Sequence, residues 1–172
     1  SGIRNPLEAV AEVAARHGRG LIVDAASSFG ALPTDIALLP CDAMVAVPNE
    51  CLEGVPGFCF ALVGLGALSQ ARGNAHSLSL DLYDQWDWLE HSGQWRYTPP
   101  THAVAALDRA LDLLAAEGGI AGRGDRYRAN HAALVDGMRG LGFHTLLPDE
   151  LQAPIAVAFH TPRDRHYRLE AF

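Results

Sequence analysis

Residues 20–60 read GLIVDAASSFGALPTDIALLPCDAMVAVPNECLEGVPGFCF, and this stretch decides the fold. Three short apolar runs, LIVDA, DAMVAV and FCFALV, predict buried strands, and the segments between them carry the prolines and glycines of turns. The alternation of strand, turn or helix, and strand is typical of an α/β layer. The near-continuous apolar character of LIVDA predicts a parallel strand that is covered on both faces.

Acidic residues follow the first two predicted strands. Asp24 lies at the end of the first, where α/β sheets place ligand-binding groups, and a carboxylate there can hold the proton of a heterocyclic nitrogen. A turn acid that accepts hydrogen bonds from the nearby backbone explains Asp24 equally well. Glu50 lies in the loop PNECLEGVPG after the second strand. That position fits a general acid or base, and it also fits a solvated loop carboxylate.

Apolar residues recur at helical spacing on both sides of this stretch. The predicted helices cover about residues 6–17, 100–117 and 124–139, with Asn5 as the N-cap of the first, and a further strand covers 154–159. Between residues 73 and 102 the chain is polar and aromatic, which predicts a long functional or interface-covering loop. In this loop Thr98 can either donate its hydroxyl to a phosphate or cap the helix that follows.

Composition narrows the classes of function. A length of 172 residues and a hydrophobic fraction of 49% indicate one globular domain with a sizeable core. The net charge of −7 argues against nucleic acid and anionic membranes as partners, and no apolar run is long enough to span a bilayer. Three cysteines without CxxC spacing and histidines without HExxH spacing predict neither zinc nor a disulfide framework. A reducing cytoplasm is the expected compartment.

All 13 basic residues are arginines, and the sequence contains no lysine. The guanidinium group stays protonated at working pH, so it cannot attack a carbonyl as an amine nucleophile. A mechanism that requires a lysine Schiff base therefore cannot run on the side chains of this sequence. A serine-hydrolase interpretation of Ser77 and Ser79 with His76 or His102 gains little, because no GxSxG elbow is present.

Five stretches resemble one family along essentially the whole sequence. They are LIVDAASSFGALPTDI, PNECLEGVPGF, NAHSLSLDLYDQW, GQWRYTPPTH and AEGGIAGRGDRYRANHAALVDGMRGLGF, and they resemble 2-aminoethylphosphonate–pyruvate aminotransferases. The resemblance implies a PLP-dependent class-V, fold-type I protein: a three-layer α/β sandwich followed by a small C-terminal domain. It implies a partial large domain over residues 1–142 and the start of the small domain over 143–172. The first and last residues thus look like interruptions of a larger fold.

The resemblance also implies roles for individual residues. Asp24 matches the aspartate that pairs with the pyridine nitrogen of pyridoxal 5′-phosphate (PLP). Thr98 matches a threonine that reaches the cofactor phosphate of the partner subunit, which implies a homodimer. Glu50, between Asn49 and Cys51, stands where the family has the Schiff-base lysine. Glutamate cannot form that bond, so we expect no appreciable transamination.

Three interpretations of function follow. The first is an incomplete 2-aminoethylphosphonate–pyruvate aminotransferase, a family that gives phosphonoacetaldehyde and alanine, with its lysine replaced by Glu50. The second is a noncatalytic α/β module for binding or dimerisation. The third makes Glu50 a general base in a PLP-independent reaction, for which no catalytic partner is visible. If strands are missing at either end, open sheet edges and exposed apolar faces should make the isolated chain prone to aggregation.

Overall fold

The computed structural model describes residues 2–171 of the chain. Its sheet has three strands in the order β1–β2–β3, which cover Ile22–Asp24, Ala43–Ala46 and Phe60–Val63. The first two run parallel, as the apolar runs predict, and β3 is antiparallel to β2. The three predicted strands are therefore confirmed in position, although each is shorter than its apolar run.

The described residues also form five α-helices. They are α1 (Leu7–Arg16), α2 (Leu65–Gln70), α3 (Leu82–Ser92), α4 (Thr101–Ala116) and α5 (Gly119–Gly140), and short 3-10 turns cover Asp149–Leu151 and Leu169–Ala171. The helices predicted near residues 6–17 and 100–117 are confirmed. The third begins at Gly119, five residues before its predicted start, because Gly118 at φ 99° and Gly119 at φ 70° make the turn between α4 and α5 and the helix then continues through Gly122 and Gly124.

Three details of the sequence prediction are wrong. The polar stretch expected to be one long loop contains α3, which begins where the Asp81 carboxylate accepts from the Asp84 N–H at 3.0 Å. The strand predicted over 154–159 is absent from the described residues, and that segment makes one isolated bridge, between Thr145 and Phe159. The N-cap position of α1 is Pro6 rather than Asn5, without a side-chain cap.

The core lies on one side of the sheet. Val23, Ala25 and Met44 form its buried centre, and partly buried side chains pack against it: Leu7, Leu21, Phe29, Ile36, Leu39 and Cys41. The opposite face of β1 is open, since Ile22 is 73% exposed. The prediction that β1 is covered on both faces is therefore wrong for the part of the chain that the structure describes.

Candidate active site

Asp24 lies at the carboxyl end of β1, in register with Val45 of β2. Its side chain is exposed, and its Oδ1 atom accepts a hydrogen bond from the Ala26 N–H at 3.0 Å. This is the backbone-bonded turn that sequence reasoning gave as one alternative. The contact uses one carboxylate oxygen, and the other makes no hydrogen bond with the described residues, so Asp24 can also serve a ligand.

A cleft of about 580 Å³ opens beside Asp24. The turn after β1 contributes Ser27 and Ser28 to its wall, and Ala153 and Ile155 contribute from later in the chain. Its lining mixes hydroxyl groups with apolar side chains, which is typical of small-molecule sites.

Glu50 begins a tight turn in the loop after β2. The Glu53 N–H donates to the Glu50 carbonyl at 2.8 Å, and the Gly54 N–H donates to the Pro48 carbonyl at 2.7 Å. The two central residues of the turn, Cys51 and Leu52, are buried. Glu50 itself is exposed, and its carboxylate makes no hydrogen bond or ion pair with the described residues. The turn thus fixes the backbone at residue 50 and leaves the side chain available.

The turn after Asp24 and the loop of Glu50 pack directly on each other. The Cys51 thiol donates to the Ser27 carbonyl at 3.3 Å. Gly30, at φ 101°, approaches Leu52 so closely that an added Cβ atom would lie 2.7 Å from Cδ2 of that leucine. The structure therefore brings together the loops of the two predicted site residues, although Glu50 does not line the cleft beside Asp24.

Thr98 lies between α3 and α4 and makes no hydrogen bond to either loop. Its side chain is exposed and makes no hydrogen bond with the described residues. The N-cap position of α4 is Pro100, without a side-chain cap, so the helix-capping interpretation of Thr98 is wrong. Its role at a phosphate stays a prediction.

Sequence reasoning missed the group that holds the Glu50 loop, which is Arg123 of α5. Its side chain is about 2% exposed, Nη1 donates to the Cys51 carbonyl at 2.6 Å, and Nε donates to Glu117 Oε2 at 2.6 Å. The neighbouring Arg126 bridges Glu117 Oε1 at 2.6 Å and Glu53 Oε1 at 2.8 Å. Two arginines and two glutamates thus form a charge-balanced network that joins α5 to the loop.

The electrostatics of this network keep its groups in fixed protonation states. Hydrogen bonds from Arg126 and then Arg123 lower the pKa of Glu117 to about 2. Burial, the largest cause in both cases, raises the pKa of the Cys51 thiol and raises that of Tyr127 to about 12. A thiol with a raised pKa is a poor nucleophile, so the geometry favours a structural role for Cys51.

Within residues 2–171, no three His, Cys, Asp or Glu side chains converge in a way that could hold a metal ion. Over the same residues, no helix combines the length and apolar character needed to cross a bilayer. The candidate site consists of the Asp24 turn, the Glu50 loop and the arginine network that contacts that loop.

Comparison with known proteins identifies relatives over the whole chain. The family model for aminotransferase class-V matches residues 1–168. The 2-aminoethylphosphonate–pyruvate transaminase 2 of Burkholderia lata is 51% identical over 172 residues, which cover 100% of this chain and 46% of that protein. The 2-aminoethylphosphonate–pyruvate transaminase of Pseudomonas fluorescens is 52% identical over 100% of this chain and 47% of its own length. The chain thus spans about half the length of these curated relatives.

Solved structures agree on the fold. Pyridoxamine–pyruvate aminotransferase from Mesorhizobium loti superposes with a TM-score of 0.84 at 30% identity, over 95% of this chain and 42% of its own. Alanine–glyoxylate aminotransferase from Nostoc sp. gives a TM-score of 0.82 at 23% identity, over 94% of this chain and 44% of its own. The α/β, fold-type I prediction is confirmed. With matches that run along nearly its full length, the chain belongs to the class-V aminotransferase family.

Proposed function

We propose that this chain is the central part of a 2-aminoethylphosphonate–pyruvate aminotransferase in which Glu50 replaces the Schiff-base lysine, and that it does not transaminate with the sequence it has. The observation that carries the proposal is the packing of the Glu50 loop on the Asp24 turn, through the Cys51–Ser27 contact. The 51% and 52% identities to curated transaminases of that substrate pair support the choice of substrates. Residues 1–142 would belong to the large domain and 143–172 to the start of the small domain.

The class-V family implies PLP as cofactor. Asp24 fits the pyridinium nitrogen of PLP. It lies at the carboxyl end of a parallel strand, and one of its carboxylate oxygens makes no hydrogen bond with the described residues. The loop after β2 does not fit a covalently held cofactor, because residue 50 is a glutamate and no lysine exists anywhere in the sequence. The residues present therefore fail the test for a Schiff-base site.

The substitution also changes the charge of the site. Glu50 brings a carboxylate to a loop that already packs against the turn of Asp24. Like charges that share a site disfavour each other, and a phosphate-bearing ligand adds to that repulsion. We therefore expect Glu50 to weaken noncovalent binding of PLP as well as to prevent its covalent attachment.

The predicted partner is a second copy of the chain. Thr98 supports this arrangement, because its exposed hydroxyl makes no hydrogen bond within residues 2–171 and is therefore available to a phosphate. In the proposed homodimer, Thr98 of one subunit contacts the phosphate held by the other. 2-Aminoethylphosphonate and pyruvate are the proposed substrates of the complete protein.

The test restores the missing amine. PLP is added to the 172-residue chain and to its Glu50→Lys and Glu50→Gln variants, and each sample is reduced with borohydride and digested. Mass spectrometry then measures the mass of the peptide spanning residues 47–57. We expect a stable pyridoxyl adduct on that peptide for Glu50→Lys alone. The glutamine variant controls for loss of charge, and the α-amine at the start of the chain gives the background of unselective labelling.

A chimera extends the test to turnover. The Burkholderia lata transaminase, with its matching 46% replaced by this chain, should form no alanine from pyruvate and 2-aminoethylphosphonate. The same chimera with Glu50→Lys should form alanine. Turnover by the chimera that retains Glu50 would overturn the proposal. A lysine-restored chimera that folds as a dimer yet binds no PLP would instead favour the noncatalytic module.

A further inference from the structure

We propose that Arg123 is a positioning residue, which acts through the Cys51 carbonyl and Glu53 to hold residue 50 against the Asp24 turn. This inference rests on the proposed function, since it assigns a task to the loop that carries the Schiff-base position. Arg123 is the one buried charged residue among residues 2–171, and its backbone contact reaches 72 residues back along the sequence. A buried guanidinium is costly unless all its partners are in place, so its location needs a reason.

The backbone of the turn is held at Cys51 by two contacts. Cys51 directly follows residue 50, and its carbonyl is the acceptor that Arg123 Nη1 reaches at 2.6 Å. On its other side, the Cys51 thiol reaches Ser27 at 3.3 Å, three residues after Asp24. Cys51 thus contacts both the Arg123 guanidinium and the turn that follows Asp24. Moving it would move the backbone of residue 50.

The end of the turn, at Glu53, is also held by α5. Glu53 has φ 61°, a left-handed conformation that non-glycine residues adopt at a cost. Its carboxylate lies 2.8 Å from Arg126 Nη2, 3.5 Å from Arg123 Nη1 and 3.5 Å from the Tyr127 hydroxyl. These contacts, all from α5, offset the strain of the turn. The other acid of the same loop, Glu50, has none of them.

Helix α5 is itself fixed by close packing. Gly124, the next residue after Arg123, is buried, and an added Cβ atom there would lie 2.7 Å from the Ala31 carbonyl oxygen. The start of α5 therefore abuts the chain segment that continues from the Asp24 turn. Glu117, at the end of α4, binds both arginines and closes the network. The same helix end thus contacts both loops of the site.

Contacts to the loop are made at residues 51 and 53 and not at the side chain of residue 50. These contacts therefore do not depend on whether residue 50 is glutamate or lysine. It follows that the site keeps the geometry for an amine at position 50 although the chain supplies a carboxylate. A single substitution should then restore covalent capture of PLP without any change to the supporting residues.

Hydrogen exchange of the full 172-residue chain tests the positioning role directly. The Glu53 and Gly54 amides, which donate to Glu50 and Pro48, report on the turn, and the amides of β1 and β2 report on the core. We expect Arg123→Met and Glu53→Gln to speed exchange of the two turn amides by roughly tenfold or more relative to the core amides, which follow the global free energy of unfolding. Arg128→Met is the matched control, because Arg128 lies on α5 and pairs, among the described residues, only with Asp125. Glu53→Gln covers the case in which the buried Arg123 variant fails to fold.

A second readout uses the same substitutions in the Glu50→Lys background. The pyridoxyl adduct on the peptide spanning residues 47–57 should fall by roughly tenfold with Glu53→Gln and remain unchanged with Arg128→Met. Unchanged turn amides in Glu53→Gln, or equal acceleration of turn and core, would overturn the positioning role. If Glu50→Lys captures no PLP while the turn amides still accelerate, the proposed function fails and the positioning role stands.

Discussion

The loop after β2 and the segment before α4 carry predicted site residues of the same family, yet the chain holds them very differently. The loop has two buried central residues, two turn hydrogen bonds and an arginine network beneath it. In the other segment, the Arg96 side chain pairs with Asp84 and donates to the Leu78 carbonyl, whereas the Thr98 side chain is exposed and makes no hydrogen bond with the described residues. This chain therefore fixes the backbone beside residue 50 through a buried network. It leaves the Thr98 hydroxyl available, which agrees with its proposed role toward a second subunit.

The largest effect is expected from Arg123→Met. The variant leaves the Cys51 carbonyl without its donor and Glu117 with Arg126 alone, so the free energy of unfolding should fall by about 3 kcal/mol. Urea unfolding followed by circular dichroism measures the loss. The matched change Arg128→Met, on the exposed side of α5, should stay within about 0.5 kcal/mol of the parent chain. Equal losses in the two variants would mean that burial of Arg123 has no special role.

A smaller loss of stability is expected from Gly30→Ala, which disrupts the contact between the Asp24 turn and the Glu50 loop. Gly30 has φ 101°, and the new Cβ atom would lie 2.7 Å from Leu52 Cδ2. Backbone strain and overpacking together should lower the free energy of unfolding by about 2 kcal/mol. Gly73→Ala is the control, since Gly73 also has a positive φ but meets no atom within 4 Å. The difference between the two variants isolates the loop contact from the backbone strain.

Sequence patterns predicted the strands and the chain positions of Asp24 and Glu50, because apolar runs and the residues after them are local properties. They missed α3, although Asp81 is a typical N-cap residue and glycine is typical of the position after a helix. In the structure Asp81 caps α3, and Gly93 ends it at φ 67°. The aromatic residues in that helix alternate with acids and so resembled a loop. They also predicted a strand over 154–159, where apolar residues find no partner strand among the described residues.

Arg123 was beyond the reach of such patterns. In the polar run RGDRYR it has the appearance of one more solvated charge on a helix. Its burial depends on the Cys51 carbonyl and on Glu117, one of them distant in sequence, so only the assembled fold reveals it.

Acid should weaken the network of Arg123, Arg126, Glu53 and Glu117. The pKa of Glu117 is about 2 in the folded chain and about 4.5 as its ordinary value. A lowered pKa contributes stability that is fully present above about pH 4.5 and is lost as pH falls toward 2. Unfolding measured between pH 6 and pH 2 should therefore show a decline that Glu117→Gln makes shallower. An identical pH profile in both chains would contradict the assignment of this decline to Glu117.

The smallest effect on stability is expected from Thr98→Val, which tests the exposed segment before α4. Loss of an exposed hydroxyl without a hydrogen bond should change the free energy of unfolding by less than about 0.5 kcal/mol. In the lysine-restored chimera, the same change should weaken PLP retention, because the proposed phosphate donor is removed from the partner's site.

Mixed dimers provide the control. One subunit carries Glu50→Lys, the other retains Glu50, and Thr98→Val is placed in one subunit or in the other. Since only the subunit with Glu50→Lys can capture PLP, weakened retention should appear when Thr98 is lost from the opposite subunit and not when it is lost from the same one. Weakening from the same subunit would place Thr98 beside its own chain's Asp24 and remove the argument for a shared site.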